Sequence, residues 1–253
     1  MEYIQILQSF HLSVFQWLAI ALAGFLLGVS KSGISGISII IVLILAFVFG
    51  EKASTGVLLP MLVCADILAV IYYNRHAQWN YIIKLIPFMI VGVLVGVWLG
   101  NDVSEILFKR IMATIIIVSV LIMIYTENRK KTIPNNRLFA YTSGFMAGFA
   151  TMIGNLAGPI ANVYFLAIKL PKNEFIGTAA WVFFIINVFK LPFHFFVWKT
   201  ITTETLTLNS ILVPAVVFGF FVGAYIVRLI SNLNYRRFII VVTVVGGIIL
   251  LLR

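Results

Sequence analysis

The chain has 253 residues, of which 62% are hydrophobic and 10% charged, and its mean hydropathy is +1.11. A soluble domain carries about 25% charged residues to face water, so hydrocarbon is the main solvent here, and only helices or a closed barrel satisfy their backbone in it. The net charge of +10 is scattered over short polar segments, which argues against a nucleic-acid stripe and fits topology signals and contacts with anionic lipid.

Apolar runs fall at about 12–29, 37–49, 54–74, 82–100 and 106–125, then at about 138–152, 159–169, 175–198, 208–228 and 236–252. They are continuous rather than alternating, which selects helices over barrel strands. The sequence thus predicts an all-α membrane protein, a bundle of about 8–10 hydrophobic segments. Ala21-Leu22-Ala23 resembles a signal-peptide cleavage site, but the stretch before it holds Glu2 and no Lys or Arg, the wrong charge for a leader. Cys64 is the single cysteine, so no disulfide can form within the chain, and the three histidines are scattered without metal-site spacing.

Most runs reach the ~20 residues that cross a bilayer. The runs 37–49 and 159–169 do not, being ~20 Å long or less at ~1.5 Å per residue. Each follows a glycine-containing break: Ser30-Lys31-Ser32-Gly33-Ile34-Ser35-Gly36 in the first set, Ile153-Gly154-Asn155-Leu156-Ala157-Gly158-Pro159 in the second. The short pieces are either abbreviated spans or arms of a re-entrant hairpin.

The two sets repeat one another. Gly24-Phe25-x2-Gly28 recurs as Gly144-Phe145-x2-Gly148. Pro87-x4-Gly92-x3-Gly96-x12-Lys109-Arg110 recurs as Pro214-x4-Gly219-x3-Gly223-x12-Arg236-Arg237. This predicts two homologous repeats, 1–125 and 138–253, joined by a cytoplasmic linker at 126–137 that carries Lys130 and Lys131. Five runs per repeat turn the second upside down relative to the first, an arrangement common in alternating-access carriers. Twelve basic residues fall on one side of this topology and five on the other. The positive-inside bias places the twelve in the cytoplasm and both termini outside it.

Lys31 is costly in a membrane break unless used. Flanked by Ser30, Ser32, Gly33, Ser35 and Gly36, with backbone N–H groups freed by the break, it makes an anion site; otherwise it snorkels to the surface. Gly154, Asn155 and Gly158 offer an amide and N–H groups from the opposite direction, or merely permit close packing. Asp66 lies in the middle of 54–74 and aligns with Asn187 of the second half. It is read as a coupling carboxylate, or as half of a pair with Lys190 or Lys31. Asn187, Lys190 and His194 share one helix face and should point into the bundle. Arg75, beside Tyr72 and Tyr73, reads as an interface anchor, and the Gly-x3-Gly faces as packing surfaces. Gly28-x4-Gly33 lacks the Gly-Lys-Ser/Thr ending of a phosphate loop, so no nucleotide, metal or other cofactor is expected.

Ala23-Gly24-Phe25, Gly28-Val29-Ser30-Lys31-Ser32-Gly33, Leu59-Pro60, Asp66 and Tyr72-Tyr73-Asn74-Arg75 together resemble the first-half signature of the TauE/SafE family of sulfite-exporter-like membrane proteins. Gly144-Phe145 through Gly154-Asn155-x2-Gly158-Pro159 is similar to that family's second signature. The resemblance spans about 23–252. It implies export of a small sulfur oxyanion or organosulfur anion, such as sulfite or sulfoacetate, across the cytoplasmic membrane. The expected protein is therefore a secondary transporter and not an enzyme. Its partners would be the anion, the bilayer and a coupling ion such as the proton, and assembly with further copies of itself is compatible with the sequence. An anion channel and a non-transporting partner subunit are the rival readings.

Overall fold

The structure, a computed structural model, describes residue 10, residues 12–101 and 137–251, and scattered positions between 104 and 121. The linker before Arg137 and most of the run 106–125, including Lys109, lie outside the described residues. So do the side chains of Ser35 and Arg236.

The described helices are α1 (Val14–Lys31), α2 (Ser38–Phe49), α3 (Glu51–Tyr73), α4 (Trp79–Asn101), α5 (Arg137–Gly154), α6 (Ala157–Ala167), α7 (Lys172–Pro192), α8 (Thr203–Leu229) and α9 (Asn232–Leu251). No strand occurs among the described residues. Among the described residues, five stretches are long and apolar enough to cross a bilayer: Val14–Lys31, Glu51–His76, Trp79–Gly100, Lys172–Val197 and Thr203–Leu229. Large apolar side chains such as Phe15, Trp98, Phe196 and Leu229 are at least 70% exposed, as a lipid-facing surface requires and a water-facing one would not tolerate. The short α2 and α6 match the two abbreviated runs.

Each break has a local cause. Ser13 opens α1 with a capping box to Gln16. The helix ends at Lys31, after which Gly33 takes φ +127°, a conformation that L side chains rarely adopt. A short 3-10 turn, Ser35–Ile37, then leads into α2. At the second break, Asn155 adopts φ +55°, one of the few non-glycine types that enter the left-handed region readily. Its N–H reaches back to Thr151 O at 3.0 Å and the Leu156 N–H to Ala150 O at 3.2 Å, closing α5 with a left-handed C-terminal cap. Pro192, which has no N–H to continue the ladder, precedes a single π-helical turn over Phe193–Val197.

The long-range packing is reciprocal. α1 lies along α8, α4 lies along α5, and α3 packs against α7. The glycines set the first two contacts. Gly28 of α1 abuts the backbone of Val216 and Phe220, and Gly219 of α8 abuts Phe25. Gly148 of α5 abuts the backbone of Met89, and Gly92 of α4 abuts Phe145 and Phe149. Such close approach of backbones is what small residues provide where water supplies no force between helices.

Candidate functional site

The polar residues that the apolar helices can least afford to expose to lipid meet in one cluster. Asp66 of α3 is fully buried, and its Oδ1 lies 2.7 Å from Lys31 Nζ at the end of α1. Its Oδ2 accepts from Asn187 Nδ2 of α7 at 2.7 Å. Asn187 Oδ1 in turn accepts from Lys190 Nζ at 3.1 Å. Lys190, also fully buried, donates further to Thr151 O at 2.9 Å, Thr151 Oγ1 at 3.0 Å and Asn155 Oδ1 at 2.5 Å. Asn155 Nδ2 then donates to Thr55 O at 3.1 Å, back on α3. This line of contacts joins the first break to the second. Of the two partners open to Asp66 from sequence, Lys31 is the one it takes.

Beside the line lies a cavity with about 50 Å3 open to the centre of a water-sized sphere, several times the ~10–15 Å3 that one water needs. Ser30, Lys31, Gly33 and Ser38 face it from the first break, Thr151, Asn155, Ala157 and Gly158 from the second, and Asn187 from α7. No side chain caps the start of α6, so the donor end of that helix, at Ala157 and Gly158, fronts the cavity. Lys31 is 12% exposed, and its ammonium lies 4.6 Å from the centre of the Phe183 ring, another wall residue. It is thus held at the rim of the cavity by a carboxylate on one side and an aromatic face on the other.

Other predicted residues sit elsewhere. Ser32 turns its hydroxyl onto Val29 O at 2.8 Å, and Gly36 and Gly154 are buried away from the wall. The backbone of Ser35 lies in the 3-10 turn. His194 is buried on the expected face but looks away from the cavity, with Nδ1 2.8 Å from Thr200 Oγ1. Its Nε2 has no hydrogen-bond partner among the described residues.

Four contributors were given no part in the site by the sequence, although Tyr73 stands in the Tyr72-Tyr73-Asn74-Arg75 motif. Thr151 sits one turn before Asn155 and supplies two of the four oxygens around Lys190. Thr55 supplies the carbonyl that anchors Asn155. Tyr73 and Tyr235 donate their hydroxyls to Ser32 O at 2.9 Å and Gly33 O at 2.7 Å, satisfying carbonyls that the first break frees. A polar residue one turn ahead of a break was the available signal for Thr151; nothing in the sequence marked the tyrosines except their place at helix ends. A second cavity, of about 330 Å3, opens between Tyr72, Tyr73, His76, Lys172, Asn173 and Arg228. There Lys172 caps the end of α8, donating to Val227 O and Ile230 O at 3.1 and 2.6 Å.

A helical bundle with lipid-facing apolar sides and a charged cluster sealed between its helices defines a multi-pass membrane protein with an internal polar site. The family model described as Sulfite exporter TauE/SafE matches residues 20–250, and the chain belongs to that family of membrane transporters. Neither a curated protein nor a solved structure matches it.

Proposed function

We propose that the protein is a secondary carrier exporting a small sulfur oxyanion, of the size of sulfite, across the cytoplasmic membrane. The observation that carries this reading is the charge balance around the cavity. Lys31 pairs directly with the one carboxylate, Asp66, whereas Lys190 reaches that carboxylate only through Asn187, and all four of its own partners are neutral oxygens. With all three groups ionised, the cluster has one positive charge too many, which is expensive in a low-dielectric interior. An anion in the cavity offsets it. Room for a few water-sized bodies suits an oxyanion with four heavy atoms better than the larger sulfoacetate.

Binding of such an anion sets it in competition with Asp66 for Lys31. Asp66 then keeps only the Asn187 amide and gains a reason to take up a proton, which would couple anion movement to proton movement. The two breaks would come from the two halves, 1–125 and 138–253, related by the inverted repeat and linked through 126–137. The reciprocal α1–α8 and α4–α5 contacts support that relation. Both termini would lie outside the cytoplasm, so the second, basic cavity would open inward and collect anions before they enter.

Purified protein reconstituted into vesicles tests the proposal: flux of sulfite, sulfoacetate, sulfate and chloride is compared, with saturation and counterflow separating a carrier from a channel. Saturable sulfite flux supports it; flux of none of these anions, or non-saturating chloride conductance, contradicts it. In the same vesicles Asp66→Asn, which cannot titrate, is expected to lower the KM for sulfite several-fold and to flatten the dependence of flux on pH. Full flux with an unchanged pH profile would remove Asp66 from coupling.

A further inference from the structure

The shell around Lys190 Nζ is built like a cation site. Four oxygens surround the nitrogen at 2.5–3.1 Å: the carbonyl and hydroxyl of Thr151 and the amide oxygens of Asn155 and Asn187. An ammonium has only three N–H donors, so the shell offers more acceptors than a lysine can fill with one bond each. Both amides present their oxygens inward because their nitrogens are engaged elsewhere, Asn155 Nδ2 on Thr55 O and Asn187 Nδ2 on Asp66 Oδ2. The Thr151 carbonyl belongs to the last turn of α5, whose C-terminal end favours positive charge. The left-handed backbone of Asn155 turns the chain there, and its side chain bridges the shell to α3.

We propose that this shell is a monovalent-cation site whose occupant, in the native protein, is the lysine's own ammonium. The chain carries its cation covalently, so transport needs no free Na+ or K+, and shortening Lys190 opens the site to a free ion. Three of the four distances, at 2.9–3.1 Å, exceed the about 2.0–2.6 Å that Mg2+ and Ca2+ take from oxygen, and all four ligands are neutral. A large monovalent ion, ammonium or K+, therefore fits, and a divalent ion does not. The charged and titratable groups that face this site are Asp66 across Asn187, Lys31 beyond Asp66, and His194 one turn along α7. None of them supplies an atom to the shell.

Purified Lys190→Ala is melted in ammonium, K+, Na+ and N-methylglucamine chlorides at equal ionic strength, beside wild type and the double variant Lys190→Ala/Asn155→Ala. The expected result is a rise of about 5 °C in Tm for Lys190→Ala in ammonium or K+ over N-methylglucamine, smaller in Na+. Wild type and the double variant should show no such selectivity. Equal melting of Lys190→Ala in all four salts would overturn the assignment, since a purely structural lysine predicts that result. If Lys190→Ala does not accumulate, wild-type vesicles decide: sulfite export at full rate with N-methylglucamine as the only added cation supports a tethered cation, and a strict need for Na+ or K+ overturns it. The vesicle arm rests on the export reading, whereas the melting arm does not, so failure of one is distinguishable from failure of the other.

Discussion

Lys31→Ala should reduce sulfite affinity by roughly 10- to 150-fold, the equivalent of one charge-assisted hydrogen bond of about 1.5–3 kcal/mol. The ammonium lies at the wall of the cavity between the breaks, and it is the charged group there with any exposure, 12% against none for Asp66. The substitution also strands a fully buried carboxylate, and breaking a buried pair by removing one partner costs about 3–5 kcal/mol. Loss of export by the single variant could therefore report misfolding. Lys31→Ala/Asp66→Asn separates the two effects, because the second change removes the stranded charge. The double variant is expected to regain the melting temperature lost by the single one while its sulfite affinity stays low. Recovery of both would reduce Lys31 to a structural counter-ion.

Gly28→Val and Gly148→Val are each expected to abolish accumulation of folded protein in the membrane. A Cβ at residue 28 would overlap the carbonyl oxygen of Val216, and one at residue 148 the carbonyl oxygen of Met89. These neighbours are helix backbone, which no rotamer change can move, so α1 and α8, or α4 and α5, would have to separate. Overpacking of side chains alone costs about 1–3 kcal/mol; parting two helices that meet along their length costs more. Gly24→Ala is the control. Its Cβ would meet Leu212 O, Ala215 Cβ and Val216 Cγ2 at an ordinary 3.6–3.7 Å, and it should accumulate at the wild-type level. Size-exclusion profiles of the detergent-extracted variants read the difference. Comparable yields of Gly28→Val and Gly24→Ala would contradict the packing described.

Much of the site could be read from the chain because charge in an apolar helix has few explanations. Lys31, Asp66, Asn187 and Lys190 stand out against their neighbours, and a bilayer forces such residues toward one another. Their pairing was less legible. Asp66 could have met Lys190 directly, and the choice of Lys31, with Asn187 interposed, depends on how α3 and α7 rotate about their axes. Thr151 and Thr55 were hidden for another reason: the atoms they contribute are largely backbone carbonyls, which every residue owns. Tyr73 and Tyr235 sit near helix ends, where an aromatic ordinarily anchors in the interface, so their hold on Ser32 and Gly33 leaves no mark in sequence. The apolar runs start a few residues after the helices at α3 and α7, which begin with Glu51 and Lys172, because hydropathy is blind to a polar first turn.

An oxyanion bound between the two breaks would lie against Lys31. Selenite keeps the pyramidal oxyanion and exchanges sulfur for a heavier atom, so anomalous diffraction from protein crystallised with it locates the ligand directly. A selenium peak is expected in the cavity between Ser30–Gly33 and Asn155–Gly158, within hydrogen-bonding reach of Lys31 Nζ. Selenium found only among surface cations such as Lys172 and Arg228, with the central cavity holding none, would contradict it.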